Sequence, residues 1–292
     1  MKIHGLNLFL GLLLTLFLSA CAPKGPGRSV SAVSESAHGR QVARRVASAP
    51  VPEAVSDTVE AGVPREVALV HQAIATADAA LLSRHVHYPL RMPYPLKDIT
   101  DQRAMRRDFH LLFDSPFIRT VSQSPLSAWK EMGWRGWMFD SGSLWADEGG
   151  LISVNRLSAE GEKALYEAVR RDLSLLHPSL QGGDWTPYTC LITRGEGLVY
   201  RVDAHYADGD DEFRLCVYPK GSAANALPVK VLKGKLDVEG TLRTRLFEFT
   251  DGEETITFSD DSNEDKPALT LTKGDKQTRK SFRFCYWQDV MR

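Results

Sequence analysis

Apolar positions along this chain follow two different periods. Between residues 64 and 177 they recur every three or four residues in three stretches; beyond residue 185 they recur every second residue. Val67, Val70, Ile74, Ala77 and Leu81 form one stripe and predict a helix from Pro64 to about Arg84. Pro64 suits the first turn, and Arg84 suits the carbonyl end of the helix dipole. The run His85-Val86-His87-Tyr88-Pro89-Leu90 predicts a short extended segment, closed by Pro89, Pro93 and Pro95. A second helix should follow Asp98 or Thr100, with Met105, Phe109, Leu112 and Phe113 on its buried side and Pro116 ending or kinking it. Trp137 to Phe139, Ser143 to Ala146 and Leu151 to Val154 predict strands of a meander. Asp140-Ser141-Gly142 and Asp147-Glu148-Gly149-Gly150 mark its turns. A third helix is expected from the N-cap Ser158 to about His177, with Leu165, Val169, Leu173 and Leu176 inward. Gln181-Gly182-Gly183-Asp184 reads as a linker.

From Trp185 onward the period is two. Leu198, Tyr200, Val202, Ala204 and Tyr206 alternate with Val199, Arg201, Asp203 and His205. Phe213, Leu215 and Val217 alternate with Arg214, Cys216 and Tyr218, as do Phe282, Phe284 and Tyr286 with Arg283, Cys285 and Trp287. Shorter runs lie near residues 229–231, 236–238, 242–249, 255–258 and 269–272, with turns expected at Asp208-Gly209-Asp210, Lys233-Gly234, Asp251-Gly252 and Lys273-Gly274-Asp275. About eight short strands at this spacing predict a small sandwich or an up-and-down barrel over residues 185–292.

The first residues carry a different signal. Lys2 precedes an apolar run from Leu6 to Leu18, and Leu18-Ser19-Ala20-Cys21 follows. The run is short for a membrane span, which needs about 20 residues, and it reads as the core of a secretory signal. Its ending resembles the bacterial lipobox. That resemblance implies cleavage after residue 20, lipidation of Cys21 and acylation of the new terminus. In a Gram-negative host, Ala22 in the next position resembles the signal for sorting to the outer membrane. Residues 21–62 contain no tryptophan, phenylalanine or tyrosine and read as a tether, with a reach of roughly 35 Å if flexible.

Composition narrows the classes without choosing one. Lys plus Arg is 36 against 37 for Asp plus Glu, a net charge of −1, so nothing argues for nucleic acid. In an exported chain with Cys21 lipidated, Cys190, Cys216 and Cys285 remain. Three pairings are open, and the plain reading is one structural disulfide beside one buried thiol. Their spacing matches no zinc motif, and no cofactor fingerprint, phosphate loop or nucleophile motif is found, so no cofactor and no metal are expected.

Residues 64 to 155 look like a nuclear-transport-factor-2-like domain, in which helices pack into a curved sheet to make a cone. The resemblance is carried by "ATADAALLSRHVHYPLRM", "ITDQRAMRRDFHLLF" and "GWRGWMFDSGSLWADEGGLISVN" in that order. It implies a cone, extended here over residues 63–180 to include the helix that follows, and with the barrel or sandwich read from alternation the chain as a whole is expected to be α+β. The resemblance also implies a cavity walled by Tyr88, Phe109, Phe113, Trp137 and Trp145. Enzymes of this fold use a His or Asp inside the cone as base, and here His85, His87, His110, Asp140 and Asp147 are the residues of the right type. His85, His87 and Asp140 are the ones carried forward. Against catalysis, Asp140 and Asp147 flank turns that aspartate stabilises, and no third metal ligand accompanies the histidines.

The function expected is therefore a lipid-anchored outer-membrane protein facing the periplasm, without catalytic activity. It would bind another envelope protein, a cell-wall fragment such as peptidoglycan, or a small apolar ligand. The alternatives are an isomerase- or dehydratase-like enzyme in the cone, and an inhibitor of a cell-wall hydrolase acting through loops of the β half.

Overall fold

The computed structural model describes residues 62–206, 211–239, 244–259 and 267–292. Cys21, the signal and the tether lie outside the described residues, as do the acidic turns at 208–210 and 260–265. The described chain is mixed α and β and ends in a closed eight-stranded barrel.

The N-terminal half starts with α1 (Arg65–Ala75), whose Val67, Val70, Ala73 and Ile74 are fully buried. The expected single helix to Arg84 is two helices. Ala77 takes a positive φ of 54°, and Asp78 then caps α2 (Ala79–Leu82) by accepting from the Leu81 N–H at 2.8 Å. An apolar period runs through that break because both helices face the same core. After the extended segment at 85–90 comes α3 (Gln102–Leu112), capped by Asp101.

Pro116 does not end this helix. The chain leaves α3 at Phe113, and Pro116 sits in the first turn of α4 (Ser115–Gln123), where its missing N–H would be unpaired anyway. Asp114 caps α4, accepting from the Phe117 N–H at 3.0 Å and pairing with Arg156 at 3.2 Å. Burial works to raise the Asp114 pKa, but this N–H and the guanidinium outweigh it and hold it below the usual value.

The first sheet runs in the order β1 (Lys130–Glu131), β2 (Trp137–Phe139), β3 (Leu144–Asp147), β4 (Gly150–Val154), all antiparallel. A parallel bridge between Val86 and Leu151 adds the 85–87 segment beside β4, and an antiparallel bridge joins Leu90 to Ile99. Helix α1 lies across β3 and β4. Between them sits a core that includes Met105, Phe109, Leu112, Phe113, Phe117, Trp129 and Phe139.

Helix α5 (Ala159–Ser174) begins at the expected cap, where the Ser158 hydroxyl accepts from the Gly161 N–H at 3.0 Å. Its apolar stripe is less buried than expected. Leu165, Val169 and Leu173 are half-buried, Leu176 just beyond the helix is buried, and the most buried side chain within the helix is the carboxylate of Asp172.

The barrel is formed by β5 (Thr186–Thr193), β6 (Leu198–His205), β7 (Glu212–Pro219), β8 (Lys230–Glu239), β9 (Thr244–Thr250), β10 (Glu254–Ser259), β11 (Ala268–Lys273) and β12 (Lys276–Phe284). Each pairs with its chain neighbour, and β12 pairs with β5 to close the ring. The sequence reading divides β8 at Lys233-Gly234 and does not mark β5; these offset, so the expected number holds. Gly234 is not a turn residue. A Cβ there would meet the Phe249 ring and the Glu248 carbonyl at 2.3 Å, so glycine lets β8 approach β9.

The barrel interior is filled. Phe247 lies 5.2 Å from Tyr188, 5.3 Å from Phe213 and 5.1 Å from Phe258 between ring centroids. Tyr200, Val202, Leu215, Leu232, Ile256, Leu269 and Phe282 pack in the same core. The short helix α6 (Trp287–Val290) and the segment after α5 cover the outer face of β5, β6 and β7, whose Cys190, Ile192, Val199, Cys216 and Tyr218 are therefore also buried.

Candidate functional site

Of the five side chains that the sequence places on a cone wall, Phe109, Phe113, Tyr88 and Trp137 belong to or pack against one core, and Trp145 is half-buried beside it. Phe109 and Phe113 are buried 4.8 Å apart in the N-terminal core. Tyr88 is half-buried and donates its hydroxyl to the Ser83 carbonyl at 2.9 Å. Burial raises its pKa to about 12. Trp137 packs against the core from β2, and Trp145 is half-buried with the Arg135 guanidinium 6.0 Å above its ring. Of the four neighbouring tryptophans, Trp129 is core and Trp134 is 80% exposed on the turn before β2.

His85 and His87 turn to separate partners. His85 Nδ1 is 2.5 Å from Glu66 on α1, and His87 Nε2 is 2.8 Å from Asp147 at the end of β3. Asp147 also accepts from the Gly149 N–H at 2.7 Å. Gly149 lies flat under the imidazole, since a Cβ there would meet His87 Nε2 at 2.5 Å. This pair can hold a proton between an imidazole and a carboxylate, but it sits on an exposed turn. Asp140, at φ 47°, is tied into its own turn by the Ser143 hydroxyl at 2.9 Å. Among the described residues no group of three or more His, Cys, Asp or Glu stands close enough to hold a metal ion.

His71 was not singled out by sequence. It lies on α1 and accepts the Trp129 indole N–H on Nδ1 at 3.2 Å. Burial holds its pKa below the ordinary value, which is about 6.5. Between those two values the unfolded chain takes up a proton that the folded chain refuses, so stability falls as pH drops below 6.5. The melting temperature should decline from pH 7 toward pH 5. In His71→Gln, whose amide oxygen accepts the same N–H and does not titrate, that slope should flatten.

The two halves are joined by a buried chain of charges. Arg201 on β6 is fully buried, with Nη2 2.5 Å from Asp172 on α5 and Nε 2.8 Å from Asp203. The contact to Asp172 is one of charge and distance rather than a well-aligned hydrogen bond. Arg214 on β7 reaches the other oxygen of Asp203 at 2.9 Å and the Leu180 carbonyl at 2.8 Å. Trp287 lies 5.2 Å under the Arg201 guanidinium. Burial works to lower the Arg201 pKa, but Asp203 and Asp172 outweigh it and keep the guanidinium charged. Burial pushes the Asp172 carboxyl up against the pull of Arg201. Around this chain, Tyr94 stacks on Tyr286 at 5.9 Å and Lys97 pairs with Asp289 at 2.9 Å. The Asp98 N–H donates to the Tyr286 hydroxyl at 2.7 Å.

One end of the barrel carries exposed groups of two kinds. The β5–β6 turn, Lys220 after β7 and Arg283 on β12 line a cleft of about 320 Å³ with Ile192, Thr193, Arg194, Gly195 and Gly197. Arg194, Lys220 and Arg283 are exposed cations, while Glu196 of the same turn pairs with Lys280. The turn is held by the Lys220 N–H donating to the Gly197 carbonyl at 2.6 Å. The connection that starts at Lys220 runs on into β8 and presents Leu227, Val229 and Val231 at 61%, 66% and 49% exposure. Val231 lies in β8 opposite Cys216, and Leu227 and Val229 lie on the connection that leads into it, so the three exposed apolar side chains fall within five residues of chain. Such a group beside cations suits a partner with apolar side chains and carboxylate or phosphate groups. Alternation hides the group from sequence reasoning, because the same pattern describes a buried strand.

Comparison with protein-family models, with curated proteins and with solved structures gives no match.

Proposed function

We propose that this chain is a lipid-anchored envelope protein that binds a protein partner at the β7–β8 end of its barrel and carries out no catalysis. The observation that carries this reading is the exposed group Leu227, Val229 and Val231, three apolar side chains left in water within five residues of chain. The Leu-Ser-Ala-Cys ending at Cys21 supports an anchor through lipid, and Ala22 supports the outer membrane facing the periplasm. For the N-terminal half the reading is a nuclear-transport-factor-2-like cone. Support comes from α1 lying on β3 and β4, and from the Val86–Leu151 and Leu90–Ile99 bridges that widen the sheet beyond β4. In this account the cone is a packed support, with Tyr88, Phe109, Phe113, Trp137 and Trp145 serving its core and rim.

The test is the variant Leu227→Ser/Val229→Thr/Val231→Thr in the full chain. Exposed sites contribute little to stability, so its melting temperature should stay within a few degrees of the parent. Capture of the envelope partner should fall at least tenfold. Unchanged capture by a folded variant would refute the group as the contact. Loss of capture on changing Arg194, Lys220 and Arg283, with capture kept by the apolar variant, would place the contact on the cationic cleft instead of the apolar group.

A further inference from the structure

We propose that Cys190 and Cys285 form a disulfide that seals the barrel and fastens its C-terminal helix, leaving Cys216 as a free thiol. The two sulfurs stand 3.4 Å apart and are buried. Phe284 pairs with Leu191 at the end of the β12–β5 ladder, and the Cys285 N–H donates to the Cys190 carbonyl at 2.9 Å. The cysteines therefore continue the ladder as facing residues on adjacent strands. Facing residues have Cα atoms roughly 4.5–5.5 Å apart, within the range a disulfide spans.

The other two pairings fail on geometry. Cys190 and Cys216 both face Arg201, one from β5 and one from β7, so β6 lies between them. Two strand spacings make about 9.6 Å, beyond the roughly 7 Å limit. Cys285 is a further strand away from Cys216. The bond also has a mechanical purpose. Closure of the barrel rests on three residue pairs, Phe282–Thr193, Arg283–Ile192 and Phe284–Leu191, and Trp287 must be held against Arg201 just beyond them.

The oxidant is a periplasmic dithiol–disulfide oxidase of the Cys-x-x-Cys class. The thiolate of one cysteine attacks the oxidase disulfide, forming a mixed disulfide and releasing one oxidase thiolate. The second cysteine's thiolate then attacks the sulfur of the first, closing the Cys190–Cys285 bond and expelling the second oxidase sulfur. Two electrons and the two thiol protons end on the oxidase as its dithiol. Burial pushes the Cys190 thiol well above its ordinary value, so this exchange belongs to the folding chain, before β12 docks. Once docked, the bond is shielded from reductants.

The inference rests on the exported location proposed above, because cytosolic thiols stay reduced. The full chain is tested in two arms. In one it is reduced, denatured and refolded in a glutathione redox buffer. In the other, cells are acid-quenched and alkylated. Peptide mapping in both should find residues 190 and 285 linked and Cys216 alkylated. Cys285→Ser should lower the melting temperature by roughly 10 °C, and Cys216→Ser should keep the link. A link in the refolding arm alone upholds the pairing and overturns the exported location. Alkylated Cys190 and Cys285 in the refolded chain, or a link to Cys216, overturns the pairing.

Discussion

Replacing Arg201 with alanine should cost about 3–5 kcal/mol and remove the single cooperative melting of the folded region. The change strips Asp172 of the buried guanidinium 2.5 Å away and takes from Asp203 one of the two cations paired with it among the described residues. Both carboxylates are nearly inaccessible to water. It also removes the cation above Trp287, loosening α6 from the barrel. The effect has a distinctive pH dependence. Asp172 already holds its proton more tightly than an exposed aspartate, and without Arg201 it must do so more. A carboxylate whose folded pKa exceeds its unfolded one is destabilising when ionised, and the penalty is relieved as pH falls through the folded value. The variant should therefore regain part of its stability on mild acidification, where the parent loses some through His71. Arg201→Met combined with Asp172→Asn should restore much of the loss, because Asp203 keeps Arg214 at 2.9 Å. A loss below about 1 kcal/mol in Arg201→Ala would mean that the charge chain does not join the two halves.

Phe247→Ala should cost a similar 3–5 kcal/mol in urea unfolding. The ring meets Tyr188, Phe213, Phe249 and Phe258, and its removal opens a hole that the closed ring of strands cannot collapse around. Phe247→Leu, which refills most of the space, should cost less than about 1.5 kcal/mol. The outcome bears on function as well as stability. Barrels of eight strands can hold a ligand or be filled by side chains. A large cavity cost belongs to a filled barrel, which must bind from its outer surface. A small one belongs to an interior with space already beside the ring.

The all-β character of residues 185–292 is legible because most strands keep a period of two, but alternation leaves a sandwich and a barrel equally open, and the β12–β5 pairing decides for the barrel. Phe213, Leu215 and Val217 point inward exactly where alternation puts them, as do Tyr200, Val202 and Ala204. What alternation could not show is that the opposite face of β6 and β7 is buried too. Arg201, Asp203 and Arg214 stand only as the alternating positions in the sequence, yet all three are buried beside α5 and α6. Only long-range packing decides that. Pro116 was misread because proline serves equally to end one helix and to begin the next, and the Asp114 cap before it settles which. Asp172 interrupts the apolar face of α5, seven residues after Leu165 and four before Leu176, and the sequence does not show the Arg201 that pairs with it there. The candidate surface drew on residues scattered from Arg194 to Arg283, which chain order does not bring together.

The central claim, that the β7–β8 end of the barrel is a docking surface, is tested most directly by a photo-activated cross-linking residue placed at Val229 in the full chain in living cells. A control carries the same residue at Glu212, exposed at the start of β7 on the opposite end of the barrel. The account predicts one discrete adduct from position 229 and none from position 212, with the 229 adduct lost when Leu227 and Val231 are made polar. The same adducts from both positions, or none from position 229, would contradict it.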